Sequence, residues 1–410
     1  MRKVELLVPA SSLEVLKIAV IFGADAVYIG GEAFGLRAKA KNFSHEDMKE
    51  GIDFAHEHGV KVYVTVNILA HNEDLPGVRE YLQELKELKP DALIIADPAI
   101  FMLAKEICPE IERHVSTQAN NTNYGTFNFW WNLGAKRVVT ARELSLKEIR
   151  EIRAHIPAEM EIESFIHGAM CISYSGRCLL SNFFTGRDAN QGACTHPCRW
   201  KYSVVEETRP GEYMPVYENE RGTYIFNSKD LCMIEHIPEM IDAGIDSFKI
   251  EGRMKTALYV ATVARTYRKA IDDYLEDPKK YEANMPWYRD QISNCTYRQF
   301  TTGFYFGKPG DESQIYDSNT YIKEYTYLGI IGGIKDGMYR IEQRNKFSVG
   351  ETVEIMKPDG QNVEVTVEKI IDEDGQEQES APHPKQVLYV ALSGEASVYD
   401  ILRRQEDVTE

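Results

Sequence analysis

Residues 4–31 read VELLVPASSLEVLKIAVIFGADAVYIGG: two short runs rich in Val, Ile and Tyr flank the longer amphipathic segment SSLEVLKIAVIFG. Short β-branched and aromatic runs favour strands, and the longer segment carries helix punctuation, with Ser11 or Ser12 placed to cap its start and Gly23 at its end. Strand, helix and strand in that order form the unit of a parallel sheet. The order recurs along the chain: DAVYIGG precedes SHEDMKEGIDFAHEHG, KVYVTVNI precedes LPGVREYLQELKELK, and DALIIAD precedes PAIFMLAKEIC, whose Pro98 suits a first helical turn. RHVSTQAN, AKRVVTAR, EIESFIHG and DSFKIEGR complete a set of eight strands.

Eight such strands predict an α/β fold, a (β/α)8 TIM-like barrel; the runner-up is an open doubly wound sheet, because alternation alone does not report closure. The last helix, TALYVATVARTYRKAIDDYLED, carries an apolar stripe at Ala257, Val260, Ala261, Ala264, Tyr267, Ile271 and Tyr274. The seventh unit breaks the rhythm. About 75 residues separate FIHG from DSFKIEGR, far more than a helix and two turns need, so an insertion is expected over about 169–230. Loops after barrel strands gather on the C-terminal face, so the insertion should open onto the mouth. The barrel is expected over 1–285, a polar connector over 286–320, and a small antiparallel β-barrel over 321–410, where EYTYLGIIGGI, GMYRIEQ, ETVEIMKPDGQNVEVTVEKI and QVLYVALS alternate around turns such as Asp359–Gly360.

At 410 residues the chain has room for a barrel and a smaller companion. No apolar run reaches the roughly 18 residues a membrane span needs. The start has a basic tip, but Glu5 and Glu14 interrupt its apolar run, so no export core is read and a cytoplasmic, reducing setting is expected. The net charge of −17 argues against nonspecific coating of nucleic acid, though not against a local basic groove. Part of that acidity lies in IIDEDGQEQESAPHPK, read as a solvated loop.

Four of the seven cysteines, Cys171, Cys178, Cys194 and Cys198, lie inside the insertion in the spacing C-x6-C-x15-C-x3-C. In a reducing compartment such clustering favours metal or redox chemistry over disulfides. Four thiolates satisfy either a [4Fe-4S] cluster or structural zinc. The C-x2-C knuckles usual in zinc ribbons are absent. Cys232, in SKDLCMIEHI, is a fifth thiol that could replace Cys198 as a ligand, but Leu231, Ile234 and Ile237 favour a small core residue on a buried helix face; Cys108 and Cys295 are read as structural.

The stretch around the first two cysteines, ESFIHGAMCISYSGRCLLS at 163–181, resembles the signature of peptidase family U32 at Glu163, Phe165, Gly168, Ala169, Met170, Cys171, Gly176, Cys178, Leu180 and Ser181. LLVPA, GADAVYIGG, HVSTQAN, FNSKDL and SFKIEGRMK extend the resemblance over most of the first 270 residues. Some members are named collagenase-like proteases. Others resemble iron–sulfur proteins of oxygen-independent hydroxylation acting on the wobble uridine of tRNA, on a ribosomal RNA cytidine, or in quinone synthesis. The two RNA types imply prephenate as hydroxyl source. The chain length and the single C-terminal barrel look most like the tRNA type, which yields 5-hydroxyuridine. That resemblance implies the four-cysteine cluster as [4Fe-4S], with tRNA and a small dicarboxylate as partners, no membrane, and a protein partner or homo-oligomer left open.

The strand ends facing the insertion supply further candidates: Asn67, Asp97, Gln118, Arg142, His167, Glu251 and Arg253. A dicarboxylate calls for cationic anchors, for which Arg142, Arg253, Arg37 and Arg177 are placed, with Asn67 and Gln118 beside them. His167 is an acid–base candidate or a packed histidine; Glu251 is a base or the ion-pair partner of Lys249 or Arg253. Arg199, Trp200, Lys201 and Tyr202, in CRWKY, combine charge for phosphate with rings for stacking, or form a plain alternating strand. A peptidase lacks visible support: neither H-E-x-x-H nor G-x-S-x-G occurs, which leaves only a Cys171–His167 dyad. A noncatalytic RNA-binding module is the third class.

Overall fold

Leu6–Val8, Val27–Ile29 and Val62–Val64 are fully buried, as expected of strands covered on both faces, and parallel pairing joins them edge to edge. The structure, a computed structural model, describes residues 3–31, 43–171, 173–175, 177–187, 189, 194–199, 203–205, 213–215, 227–252, 254–295, 299–309, 314–315 and 325–406. The barrel strands are β1 (Glu5–Pro9), β2 (Ala26–Gly30), β3 (Lys61–Val66), β4 (Ala92–Ile95), β5 (Glu112–Val115), β6 (Arg137–Val139), β7 (Glu161–Ala169) and β8 (Ser247–Ile250). All eight coincide with the sequence-derived runs. β8 pairs in parallel with both β1 and β7, which closes the barrel and removes the open-sheet alternative.

Outside the barrel stand α1 (Leu13–Ile21), α2 (His45–Glu57), α3 (Leu75–Leu88), α4 (Pro98–Ile107), α5 (Tyr124–Leu133) and α6 (Leu146–Ala154). Ser12, Ser44, Asp97, Asn123 and Ser145 cap all of these but α3 through their side chains. Gly23, after α1, has φ +103°, and a Cβ there would lie 2.7 Å from Arg268 Cγ, so glycine is required by both backbone and space. Within the insertion lies the short helix α7 (Leu180–Thr185); α8 (Ile237–Asp242) follows it and precedes β8, and α9 (Ala257–Glu276), α10 (Pro278–Ala283) and α11 (Met285–Ser293) complete the domain.

Inside the barrel, Leu7, Ala26, Tyr28, Tyr63, Ala92 and Ile94 form one apolar cluster. Beneath it runs a buried ion network. Arg137 donates to Glu161 at 2.6 Å and to Glu163 at 3.0 Å, and pairs with Glu5, while Lys249 Nζ donates to Glu163 at 2.7 Å. Tyr63 and Ser247 hydroxyls complete the shell of Glu5.

The C-terminal domain contains β9 (Tyr325–Lys335), β10 (Met338–Glu342), β11 (Thr352–Met356), β12 (Asn362–Asp372), β13 (Val387–Leu392) and β14 (Ile401–Gln405). The order β11-β14-β9-β10-β13-β12, with β12 pairing back to β11, closes an antiparallel barrel. The expected turn at Asp359–Gly360 joins β11 to β12, with Gly360 at φ +96°. Helix α9 is buried well beyond the expected stripe because this domain covers its other side: buried Arg265 donates to the Lys357 carbonyl at 2.8 Å and to Asn362 at 3.0 Å. Ile330, Met356 and Ile401 join the core of the large barrel.

Three local expectations are corrected. The SKDLCMIEHI segment is not a helix at Cys232: Asp230–Cys232 is a strand, antiparallel to the end of β7, because pairing with Ala169, Gly168 and His167 satisfies its backbone. The connector expected over 286–320 begins with helix α11, whose Tyr288, Gln291 and Ile292 are buried. In the expected loop at 370–385, Ile370–Ile371 pair with Glu377–Gln378 because the Asp372 carboxylate accepts the Asp374 and Gln376 N–H groups and folds the turn.

Candidate active site

The eight strands deliver their C-terminal ends to one rim, and the residues immediately after them form a cavity of about 180 Å³. Asn67 follows β3, Ser116–Gln118 follow β5, Arg142 follows β6, and Glu251 follows β8. All of them line the cavity, with Cys171, Cys178, Cys194 and Cys198 on its insertion side. Residues separated by as much as 27 positions in sequence thus share one wall, and all seven cysteines of the chain are thiols rather than disulfides.

The rim is fastened to the cysteine segment by hydrogen bonds. Ser116 caps a short 3-10 turn, Thr117–Ala119, and accepts from Asn67 Nδ2 at 3.3 Å. Asn120, in the left-handed region at φ 54°, donates to the Ser175 carbonyl at 3.3 Å, and Gln118 Nε2 donates to Ser175 Oγ at 3.4 Å. The turn between Cys171 and Cys178 is therefore held against β5. Gly168 has φ +104°, and a Cβ there would collide with the Glu251 carbonyl, so β7 and β8 approach this closely only with glycine.

Arg142 is the electrostatic centre of the wall. Its guanidinium lies 4.1 Å above the Phe165 ring, donates to the Ala169 carbonyl at 3.1 Å, reaches Cys171 Sγ at 3.5 Å, and pairs with Glu251 at 3.3 Å. Burial pushes its pKa down, but the adjacent Cys171 and Glu251 push it up and prevail, so the charge is fixed. Its buried Nε–H has no acceptor among the described residues. Glu251 is thus the partner of Arg142, whereas Lys249 is held by Glu163. Lys249 also lines the cavity, its ammonium 4.5 Å from the Tyr28 ring centre.

His167 is not brought to the cavity. The pairing of β7 with β8 slips between Lys249 and Ile250, the inward–outward alternation is interrupted there, and the imidazole lies against Tyr267, with Nδ1 3.4 Å from its hydroxyl. Burial, with the Lys255 charge acting in the same direction, lowers its pKa to about 3, so the ring is neutral. Of the two readings of His167, acid–base group or packed histidine, the placement fits the packed one, and the Cys171–His167 dyad is not assembled. Asp97 caps α4, and Arg177 does not line the cavity. Cys232, partly buried, packs 3.6 Å from Tyr267 Oη, and desolvation pushes its thiol up to about 11; Cys108 and Cys295 are fully buried. Arg37, Arg253, Trp200, Lys201, Tyr202 and the side chain of Arg199 lie outside the described residues.

Sequence reasoning missed Tyr28, Thr65, Lys249 and His196, which also line the cavity. Lys249 was findable, since it precedes Glu251 by two and therefore shares its strand face.

Thiolate sulfur is the donor that iron–sulfur clusters require, and the four thiols on one wall, beside a fixed guanidinium and the His196 N–H donating to Cys194 Sγ at 3.4 Å, fit that group. Among the described residues, Cys171, Cys178, Cys194 and Cys198 included, no three His, Cys, Asp or Glu side chains are gathered closely enough to hold a single metal ion, so the cavity carries the sulfur donor set without a closed ligand cage. No helix among the described residues is long and apolar enough to cross a membrane.

Comparison with known proteins agrees with the geometry. The sequence profile described as peptidase family U32 matches residues 11–315, and that of the peptidase family U32 C-terminal domain matches 323–403. The chain is 43% identical to the tRNA hydroxylation protein P1 of Bacillus subtilis (strain 168) over 405 residues, covering 98% of this chain and 95% of the relative. It is 40% identical to the tRNA hydroxylation protein P of Escherichia coli (strain K12), covering 93% and 92%. It is 38% identical to the 23S rRNA 5-hydroxycytidine C2501 synthase of the same organism, over 67% of this chain and 40% of that protein.

Proposed function

The chain belongs to peptidase family U32, and from that premise we propose that it is an RNA-modifying hydroxylase whose substrate is tRNA, at the wobble uridine, converting it to 5-hydroxyuridine. The observation that carries the reading is a cavity lined by four thiols and a buried arginine, in a chain that aligns almost end to end with relatives named for tRNA hydroxylation. The name of a third relative, an rRNA 5-hydroxycytidine synthase, supports hydroxylation of a pyrimidine base.

In this reading Cys171, Cys178, Cys194 and Cys198 hold a [4Fe-4S] cluster, which when bound supplies one-electron chemistry or a Lewis-acidic iron beside the substrate. The chain's own residues bind and orient. Arg142, fixed by Ala169 and Glu251 and stacked on Phe165, keeps its Nε–H for an acceptor, which suits one carboxylate of a small dicarboxylate such as prephenate, the proposed hydroxyl donor. Lys249 stands at the same cavity as a second cation. Asn67 and Gln118 offer amides that can read the polar edge of a flipped base.

The peptidase reading finds no Cys171–His167 dyad here: the neutral His167 ring is turned toward α9, where its Nδ1 lies 3.4 Å from the Tyr267 hydroxyl, and it does not line the cavity. Nucleoside mass spectrometry of tRNA from cells with and without the protein separates the two. We expect nucleosides derived from 5-hydroxyuridine to disappear on deletion. Unchanged nucleosides together with lost peptide cleavage would reverse the conclusion.

A further inference from the structure

The insertion exposes rings next to the cavity. Phe183 is 80% and Phe184 43% exposed on α7, and beside them Leu179 is 77% and Tyr174 46% exposed. Soluble surfaces usually scatter large apolar groups singly; here four fall within residues 174–184. The opposite side of α7 is anchored. Buried Ser181 accepts the Thr195 N–H on its Oγ at 3.0 Å, and the Thr185 hydroxyl lies 3.3 Å from that of Thr195. Thr195 lies between Cys194 and His196, which line the cavity together with Tyr174 and Cys178. The exposed rings are therefore fixed to the cavity wall.

Charge identifies the occupant. In a chain of net charge −17, residues 164–187 contain no Asp or Glu and carry the exposed Arg177 and Arg187, one on each side of α7. Rings between guanidinium groups, in an acid-free segment continuous with the cavity, suit a polyanion with aromatic faces. A base drawn out of a loop for chemistry leaves neighbours whose own faces need new partners, and aromatic side chains accept any base because every base has a π-face.

We propose that α7 and its flanks form a stacking platform for unpaired RNA bases adjacent to the one entering the cavity, with Arg177 and Arg187 serving the phosphates. The proposal rests on the RNA-hydroxylase reading and deepens it. It also supplies an RNA contact among the described residues.

The test uses the full chain and an anticodon-type RNA hairpin with 2-aminopurine beside the target uridine, at fixed salt, with circular dichroism checking the fold. The wild type should bind and quench the aminopurine. Phe183→Ala/Phe184→Ala should weaken binding by at least about tenfold and remove the quenching, since stacking is worth roughly that per base. Phe183→Trp should keep both. Arg177→Ala/Arg187→Ala should flatten the dependence of log affinity on log salt by about 0.7 per lost phosphate contact. Undiminished binding and quenching by the double-alanine variant would overturn the platform while leaving the RNA reading intact. So would loss of self-association in light scattering with RNA affinity unchanged, which would make the face an interface between copies. A wild type that binds no hairpin would instead sink the RNA reading, and the platform with it.

Discussion

Cys171→Ser, Cys178→Ser, Cys194→Ser and Cys198→Ser are each expected to strip iron from protein purified without air and to reduce tRNA hydroxylation to background. Changes in groups that merely support a ligand cost roughly ten- to hundredfold in metal affinity or activity, so losing a ligand should exceed that. The four thiols line one cavity, and serine offers a hard, protonated oxygen where iron–sulfur chemistry requires soft thiolate. Cys232→Ala is the internal control. Its thiol packs against Tyr267, away from the cavity, so its loss should cost a little stability and leave iron and activity in place. Iron and acid-labile sulfide, assayed beside visible absorbance, read the outcome; a colourless wild type containing zinc would defeat the cluster assignment.

The second large effect is on stability. Arg137→Met should destabilise the large barrel by about 3–5 kcal/mol at neutral pH, because it leaves carboxylates buried without their counter-charge. Burial alone would raise the pKa of Glu5, but the charge and hydrogen bonds of Arg137, with those of Tyr63 and Ser247, outweigh it and hold the carboxyl at about 2. A folded-state pKa below the unfolded value means stabilisation that is fully present above about 4.5 and lost as pH falls toward 2. In Arg137→Met the Tyr63 and Ser247 hydrogen bonds remain but the counter-charge is gone, so burial is less opposed, the folded-state pKa of Glu5 rises, and the variant has less carboxylate stabilisation to lose as the pH falls. Urea unfolding at pH 7 and pH 4 should therefore show the gap between wild type and variant narrowing in acid. A gap independent of pH would remove Glu5 from the explanation.

How far the sequence revealed this site depended on how locally each element is specified. The eight barrel strands were legible because Val-, Ile- and Tyr-rich runs buried on both faces cannot pass for helix or loop. The cavity residues Asn67, Gln118, Arg142 and Glu251 followed from the rule that barrel strands end at the mouth. His167 occupies such an end as well, yet one slip in register between β7 and β8 turned it to the helix layer, and no single-strand pattern reports a bulge set by its neighbour. Cys232 was misread for a similar reason: Leu231, Ile234 and Ile237 recur at helical spacing, but pairing with β7, distant in sequence, decides for strand. Helix α7 has six residues and no side-chain cap, too little for periodicity to register. The exposure of its rings depends on Ser181 meeting Thr195, a contact between segments.

Complementation with Arg142→Met tests most directly whether RNA is hydroxylated in the cavity. Arg142 touches Cys171, Glu251 and Phe165 at once, so its loss should disable the wall while α9 and the C-terminal barrel keep the chain folded. In cells lacking the native protein, we predict that the wild-type chain restores tRNA nucleosides derived from 5-hydroxyuridine and that Arg142→Met, present at equal abundance, restores almost none. Full restoration by the variant would place the reaction elsewhere.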